Sequence, residues 1–238
     1  MTPGPPDPFG AAVRDFLAGL SDATLLLRRD DGMTAPIPAG FFFQPPSELA
    51  ALDTVALERC AGRVLDCGAG AGRHALALQE RGLAVTAIDS SPGAVEVMSR
   101  RGVVDARLVD AFAFEGGPFD TVLLLGHTIG IVGTLDRLEG FLRHVGGLLA
   151  PGGQLLLDAV DPFATDDPAN LAYHEANRRA GRYAGEVRMT LEYEGIQGPL
   201  QGWLLLDGAT LADHSSRAGF ACEVLARGGC DALYRLAR

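Results

Sequence analysis

Val64-Leu65-Asp66-Cys67-Gly68-Ala69-Gly70-Ala71-Gly72-Arg73 is the stretch of this chain best equipped for chemistry. An apolar run ends in an acid, three glycines alternate with small residues, and a helical pattern starts at Arg73. Glycines at 68, 70 and 72 permit a tight turn and leave bare backbone against which a ligand can press. Asp89 closes the next apolar run, where a carboxylate can accept both vicinal hydroxyls of a ribose. Together these residues supply a nucleoside site at the carboxyl edge of a parallel sheet. The dinucleotide fingerprint G-x-G-x-x-G is not met, because the third glycine falls one place early and Arg73 stands where it belongs.

The elements that must hold these residues alternate. Strands are expected at 63–67, 84–88, 104–109, 119–125 and 154–158, and helices at 73–81 and 91–101, each helix closed by a glycine, Gly82 and Gly102. Leu135, Leu138, Phe141, Leu142, Val145, Leu148 and Leu149 follow the helical i, i+3, i+4, i+7 rule over two repeats, and Pro151-Gly152-Gly153 stops them. Nearly continuous apolar strands alternating with helices imply a parallel sheet with helices on both faces. Upstream, the pattern predicts a helix at 9–20, a strand at 23–29, an ordered irregular segment around Phe41-Phe42-Phe43, and a helix from Ser47 to about Cys60. Downstream, 161–182 reads as polar and irregular, and 186–193 with 200–206 as a hairpin. Thr210-x-x-Asp213 reads as a capping box opening a helix that stops at Gly219, and strands at 222–226 and 232–236 finish the chain.

Composition prunes the chemistry. The 238 residues are 47% hydrophobic and 21% charged, enough for a sizeable core. All 20 basic residues are arginine, so lysine-dependent chemistry is excluded: Schiff bases, pyridoxal enzymes, phosphate-loop NTPases and lysine-dependent kinases. Against them stand 30 acidic residues, and the net charge of −10 argues against nucleic acid or an anionic membrane as partner. Cys60, Cys67, Cys222 and Cys230 show no metal-ligand spacing, so no metal and a reduced, cytoplasmic setting are expected. No run is long and unbroken enough for a membrane helix, and MTPGPPDP lacks the marks of a signal peptide.

The acid-x-Gly-x-Gly-x-Gly turn resembles the first motif of class I S-adenosylmethionine-dependent methyltransferases. Further matches follow in order: Asp89-Ser90-Ser91-Pro92 resembles the family's acidic ribose motif, and Asp110-Ala111-Phe112 the motif whose acid contacts the adenine amino group. Phe119-Asp120-Thr121-Val122-Leu123 resembles its fourth strand, and Leu149-Ala150-Pro151-Gly152-Gly153 the turn before its fifth. The resemblance covers about residues 60 to 160 and implies a Rossmann-like, seven-stranded, mostly parallel α/β sheet ordered 3-2-1-4-5-7-6. It implies S-adenosyl-L-methionine as cofactor, held by Asp66, Gly68, Gly70, Gly72, Asp89, Ser90, Asp110, Ala111 and Gly126. It also places Gly126-His127-Thr128 where residues face both methyl and acceptor, which makes His127 the candidate base. The Asn/Asp-Pro-Pro-Tyr pattern of amine-methylating members is missing here, which speaks against nucleic-acid bases and glutamine as acceptors. A small-molecule oxygen or nitrogen acceptor, with a place in a biosynthetic pathway, is the resulting expectation.

On this reading residues 1–8 form a disordered tail, 9–60 a cap, and 61–238 the methyltransferase domain with 161–206 inserted to cover the acceptor. The 186–206 hairpin can serve as a lid, a homodimer contact or both. His74, His144 and His214 read as packing or surface residues, whereas Tyr173, His174 and Glu175 are candidates to line the acceptor pocket. Phe41 to Phe43 read as core or lid, Trp203 as sheet core, and Arg178, Arg179 and Arg182 as a solvated cluster. Two rivals remain open, a silent cofactor-binding protein and an NAD(P)-dependent oxidoreductase.

Overall fold

The computed structural model describes residues 5–238. A seven-stranded sheet contains β3 (Arg63–Cys67), β4 (Ala84–Asp89), β5 (Asp105–Leu108), β6 (Phe119–Leu124), β7 (Leu149–Val160), β11 (Ala221–Gly228) and β12 (Asp231–Ala237). Their order is β11-β12-β7-β6-β3-β4-β5. Counted within this sheet alone, that is 3-2-1-4-5-7-6 from the β5 edge, the expected order. β4 runs parallel to β5 and β6 to β7, while β12 is antiparallel to both β7 and β11.

A second sheet, ordered β10-β8-β1-β2, joins β1 (Thr24–Arg29) and β2 (Thr34–Pro38) to β8 (Glu186–Tyr193) and β10 (Gln201–Leu204), with the short β9 (Ile196–Gln197) on β8. The hairpin expected at 186–206 therefore does not stand alone, because Met189 to Glu192 pair with β1 residues Arg29 to Leu26. Pro36 and Pro38, which border the irregular segment expected around Phe41 to Phe43, lie in β2, an edge strand, the position in a sheet that tolerates them.

Internal packing divides the chain into two units. The first holds the described residues up to Leu49, Leu65–Phe114 and Arg188–Gln201. Its helix α1 (Pro8–Leu17) starts because Asp7 accepts the Gly10 N–H at 2.8 Å and Pro8 sits in the first turn. The helix α4 (Pro92–Arg101) is capped by Ser91, which accepts the Ala94 N–H, and is stopped by left-handed Gly102. α1 and α4 touch backbone to backbone at Gly10 and Gly93; a Cβ on Gly93 would lie 2.4 Å from the Gly10 Cα. Ala12, Ala23, Leu25, Ala39 and Tyr193 form the core beside them.

The second unit holds Ala50–Val64, Glu115–Val187 and Gly202–Arg238. It contains α2 (Ala51–Glu58), α5 (Leu138–Leu148), α6 (Pro168–Arg179) and α7 (Gly208–Arg217), while α3 (Arg73–Glu80) belongs to the first unit. α5 buries Leu138, Phe141, Leu142, Val145 and Leu148, the spaced apolar ladder of the sequence. Two expectations are corrected here. Residues 161–182 are not irregular throughout, because Asp167 caps α6 through the Ala169 N–H at 2.7 Å and Pro168 occupies its first position. Only Tyr173, His174 and Asn177 of α6 are buried, so no apolar period marks it. The cap of α7 is Asp207, which accepts the Ala209 and Thr210 N–H groups at 3.0 Å each, rather than a box opened by Thr210. No helix among the described residues is long and apolar enough to cross a membrane.

Candidate active site

In the first unit the glycine turn is bound to the end of β4. Ala69 N–H donates to the Ile88 carbonyl at 3.0 Å, and Gly70 N–H donates to Asp89 Oδ2 at 2.9 Å. The other carboxylate oxygen of Asp89 accepts the Ser91 N–H at 2.9 Å. Gly68, Gly70 and Gly72 have φ of 65°, 57° and 82°, the left-handed region that side chains disfavour. Gly72 has no room for a methyl either, since its Cβ would meet Val103 at 2.8 Å.

Asp66, at 1% exposure, ends β3 beneath this turn, and its Oδ2 has no hydrogen-bond partner among the described residues. Burial pushes its carboxyl up to about 6; the Asp89 charge adds to the rise, against the opposing effects of His74, Arg73 and the Ala75 N–H. Asp89 is raised by burial too, while the Ser91 and Gly70 amides pull the other way. Val109 N–H donates to the Asp89 carbonyl, which brings Asp110 and the buried Ala111 to the same strand edge. Asp110 itself is exposed and accepts the Phe112 N–H at 2.9 Å, a turn contact; Ser90 is exposed as well.

The rings that cover this turn come from the segment expected to act as a cap and from Phe41 to Phe43, read above as core or lid. A Cβ on Gly70 would lie 3.4 Å from the Phe9 ring and 3.8 Å from Phe42, and these two rings meet edge to face at 4.9 Å. Asp7 fastens the cover: it accepts from Ser91 Oγ at 2.9 Å and from the Gly93 N–H at 3.0 Å. Arg73 donates to Gln44 Oε1 at 2.8 Å and stacks on Phe41 at 4.3 Å, so it ties α3 to the same segment. Residues 7 and 8 belong to the expected tail, yet they are ordered; residues 1–4 of that tail lie outside the described residues. Asp7-Pro8 is itself a cap-and-first-turn signal that could have marked the helix start.

Gly126 and His127 belong to the second unit, at the end of β6. His127 has φ 63°, one of two non-glycine residues in the left-handed region among the described residues. Such a conformation costs about 1–3 kcal/mol and persists where neighbours over-determine it. Here the His127 N–H donates to Asp158 Oδ1 at 2.9 Å, and Thr128 Oγ1 closes the turn on the Leu125 carbonyl at 2.7 Å. The ring is 41% exposed, and its Nε2 lies 3.5 Å from both Asp158 Oδ2 and Asp231 Oδ1. Beyond it, Gly130 lies flat against Trp203, with a hypothetical Cβ only 2.2 Å from the indole. Asp158 and Asp231 were not singled out in the sequence, although an acid within the apolar run Leu155-Leu156-Leu157-Asp158-Ala159-Val160 was a visible signal. Among the described residues no group of three or more His, Cys, Asp or Glu could hold a metal ion.

An adenosyl cofactor fits the first unit's residues. Three left-handed glycines form the turn without side chains of their own, Asp89 offers a carboxylate to a ribose, and the buried Asp66 Oδ2 still has an acceptor to satisfy. A profile described as a methyltransferase domain matches residues 64–153. The solved structure of a methyltransferase dependent on S-adenosylmethionine from Bacteroides fragilis, in complex with S-adenosyl-L-homocysteine, is 36% identical, with a TM-score of 0.86 over 99% of this chain and 96% of that one. A ubiquinone biosynthesis O-methyltransferase of Methylocella silvestris is 37% identical over 38% of this chain and 37% of its own. A cypemycin N-terminal methyltransferase of a Streptomyces species is 30% identical over 42% of each. The match thus spans about two fifths of the length of these curated relatives. The chain belongs to the S-adenosylmethionine-dependent methyltransferases, and S-adenosylmethionine is the cofactor of that family.

Proposed function

We propose that this chain moves a methyl group to the oxygen or nitrogen of a small-molecule acceptor. The observation that carries the reading is His127: it is solvent-facing, held in a left-handed turn at a strand end, and flanked by two carboxylates. When bound, S-adenosylmethionine supplies a sulfonium methyl that an acceptor lone pair takes as the carbon–sulfur bond breaks. Asp89 holds the ribose hydroxyls, Asp66 a polar group over the glycine turn, and Phe9 with Phe42 exclude water above Gly70. His127 takes the acceptor's proton, for a contribution of about 10²–10⁴-fold. The cap of residues 9–60 serves the cofactor side. The inserted region 161–206 selects the acceptor, a role supported by Trp203, which packs on the loop that carries His127. Relatives named as a ubiquinone biosynthesis O-methyltransferase and a cypemycin N-terminal methyltransferase support oxygen and nitrogen alike as the atom methylated.

Calorimetry with S-adenosylhomocysteine, and NADPH as control, tests the first half; binding of S-adenosylhomocysteine and not of NADPH is expected. Release of S-adenosylhomocysteine from S-adenosylmethionine is then measured with phenols, small amines and short peptides with free N-termini. One acceptor class should turn over, and His127→Ala should slow it while cofactor affinity survives. Binding without release on any class would make the chain a silent cofactor-binding protein.

A further inference from the structure

Asp158 and Asp231 come from neighbouring antiparallel strands. Asp158 pairs with Leu233, and Asp231 with Val160, so the two acids occupy diagonal positions on one face of the sheet. Side chains at such positions are within reach of each other, and His127 Nε2 sits 3.5 Å from one oxygen of each. Asp158 is 6% exposed at its side chain, and it also holds the backbone of the same histidine through the His127 N–H. Asp231 is 30% exposed, and the Cys230 thiol approaches its Oδ1 at 3.5 Å. A ring nitrogen that faces two carboxylate oxygens is a donor, because both partners can only accept when ionised. The other nitrogen is then the acceptor.

We propose that Asp158 and Asp231 are positioning residues that clamp the Nε2–H of His127 and leave Nδ1 as the atom that takes the acceptor's proton. The proposal rests on the reading of His127 as base. In the step, the acceptor's O–H or N–H bond breaks, its hydrogen passes to Nδ1 as a proton, and the electron pair stays on the acceptor atom that bonds to the methyl carbon. The imidazolium formed faces both carboxylates until water removes the proton.

The tautomer can be read without any acceptor. In the full chain carrying isotope-labelled histidine, ring nitrogen shifts are recorded by NMR on the alkaline side of the ring's titration, and His127→Gln identifies the signal. A single tautomer is expected in the native chain, with Nε2 protonated and Nδ1 bare. Asp158→Asn can present an amide N–H to the ring, so the protonated-Nε2 population should fall; with the acceptor that the panel returns, kcat should drop about 10²–10³-fold, with S-adenosylhomocysteine affinity unchanged. Asp231→Asn, in a more exposed place, should shift the tautomer in the same direction and serves if Asp158→Asn does not fold. A native Nδ1–H tautomer, or a tautomer ratio unmoved in the folded variants, overturns the clamp. A fixed tautomer with unchanged turnover in His127→Ala overturns instead the base on which the clamp would act.

Discussion

Asp66→Asn should make the protein more stable at neutral pH and a poorer cofactor binder. Asp66 is raised from 3.8 to about 6, chiefly by burial, so the folded state keeps a proton that the unfolded chain releases. The sign follows: a carboxyl raised in the folded state costs stability as pH climbs from about 4 to about 6, and the cost is complete above that. At about 1.4 kcal/mol per pH unit, the rise corresponds to about 3 kcal/mol, with about half of it developing between pH 5 and 8. Asparagine carries no charge at any pH and removes this cost. Its side-chain NH₂ in place of the unpartnered Oδ2 costs about 1–2 kcal/mol in return. The net gain at neutral pH is about 1–2 kcal/mol, which raises Tm by about 2–8 °C for a chain of this size. Urea denaturation of both proteins across about pH 5 to 8 should show the variant's advantage widening toward alkaline pH by about 1.5 kcal/mol. S-adenosylhomocysteine affinity should fall by about ten-fold or more, the loss of one charge-assisted hydrogen bond. An advantage that stays flat with pH would refute the burial argument, and unchanged affinity would refute the assignment of Oδ2 to the ligand.

Asp89→Ala removes the acceptor of the Gly70 and Ser91 amides, and S-adenosylhomocysteine affinity by calorimetry should drop about 10–100-fold with the circular dichroism of the fold retained. Gly93→Ala sets a methyl 2.4 Å from the Gly10 Cα, where backbone stands on both sides, and should cost at least about 1–3 kcal/mol in urea denaturation; native stability would mean that α1 does not rest on α4. Gly130→Ala drives a methyl into the Trp203 indole and should destabilise by about 1–3 kcal/mol. The same change in a Trp203→Ala background should cost far less, and strictly additive costs in that double-mutant cycle would dissociate the two residues.

What the sequence shows well is what neighbours along the chain decide. The glycine turn, the acids at the ends of β3 and β4, the cap at Ser91 and the apolar ladder of α5 all act over a few residues, and their types and spacing name their conformation. The strand order is implied only by the resemblance of the motifs to a known family; alternation of strand and helix by itself leads no further than a parallel sheet with helices on both faces. α6 escaped because a helix that buries only Tyr173, His174 and Asn177 carries no apolar period, and its single local sign is Asp167-Pro168. The pairing of β8 with β1 escaped for another reason: it joins residues far apart in the chain, and nothing local sets a partner. The histidine centre lies at the boundary between the two cases. His127 was visible as a loop residue after an apolar strand. Its setting depends on the antiparallel register of β7 against β12, since a slip of one residue would turn Asp231 to the opposite face from Asp158 and leave one carboxylate at the ring instead of two. Where the proton goes is therefore fixed by a register, and the residues that fix it, Asp158 and Asp231, become legible only once the last strand is paired.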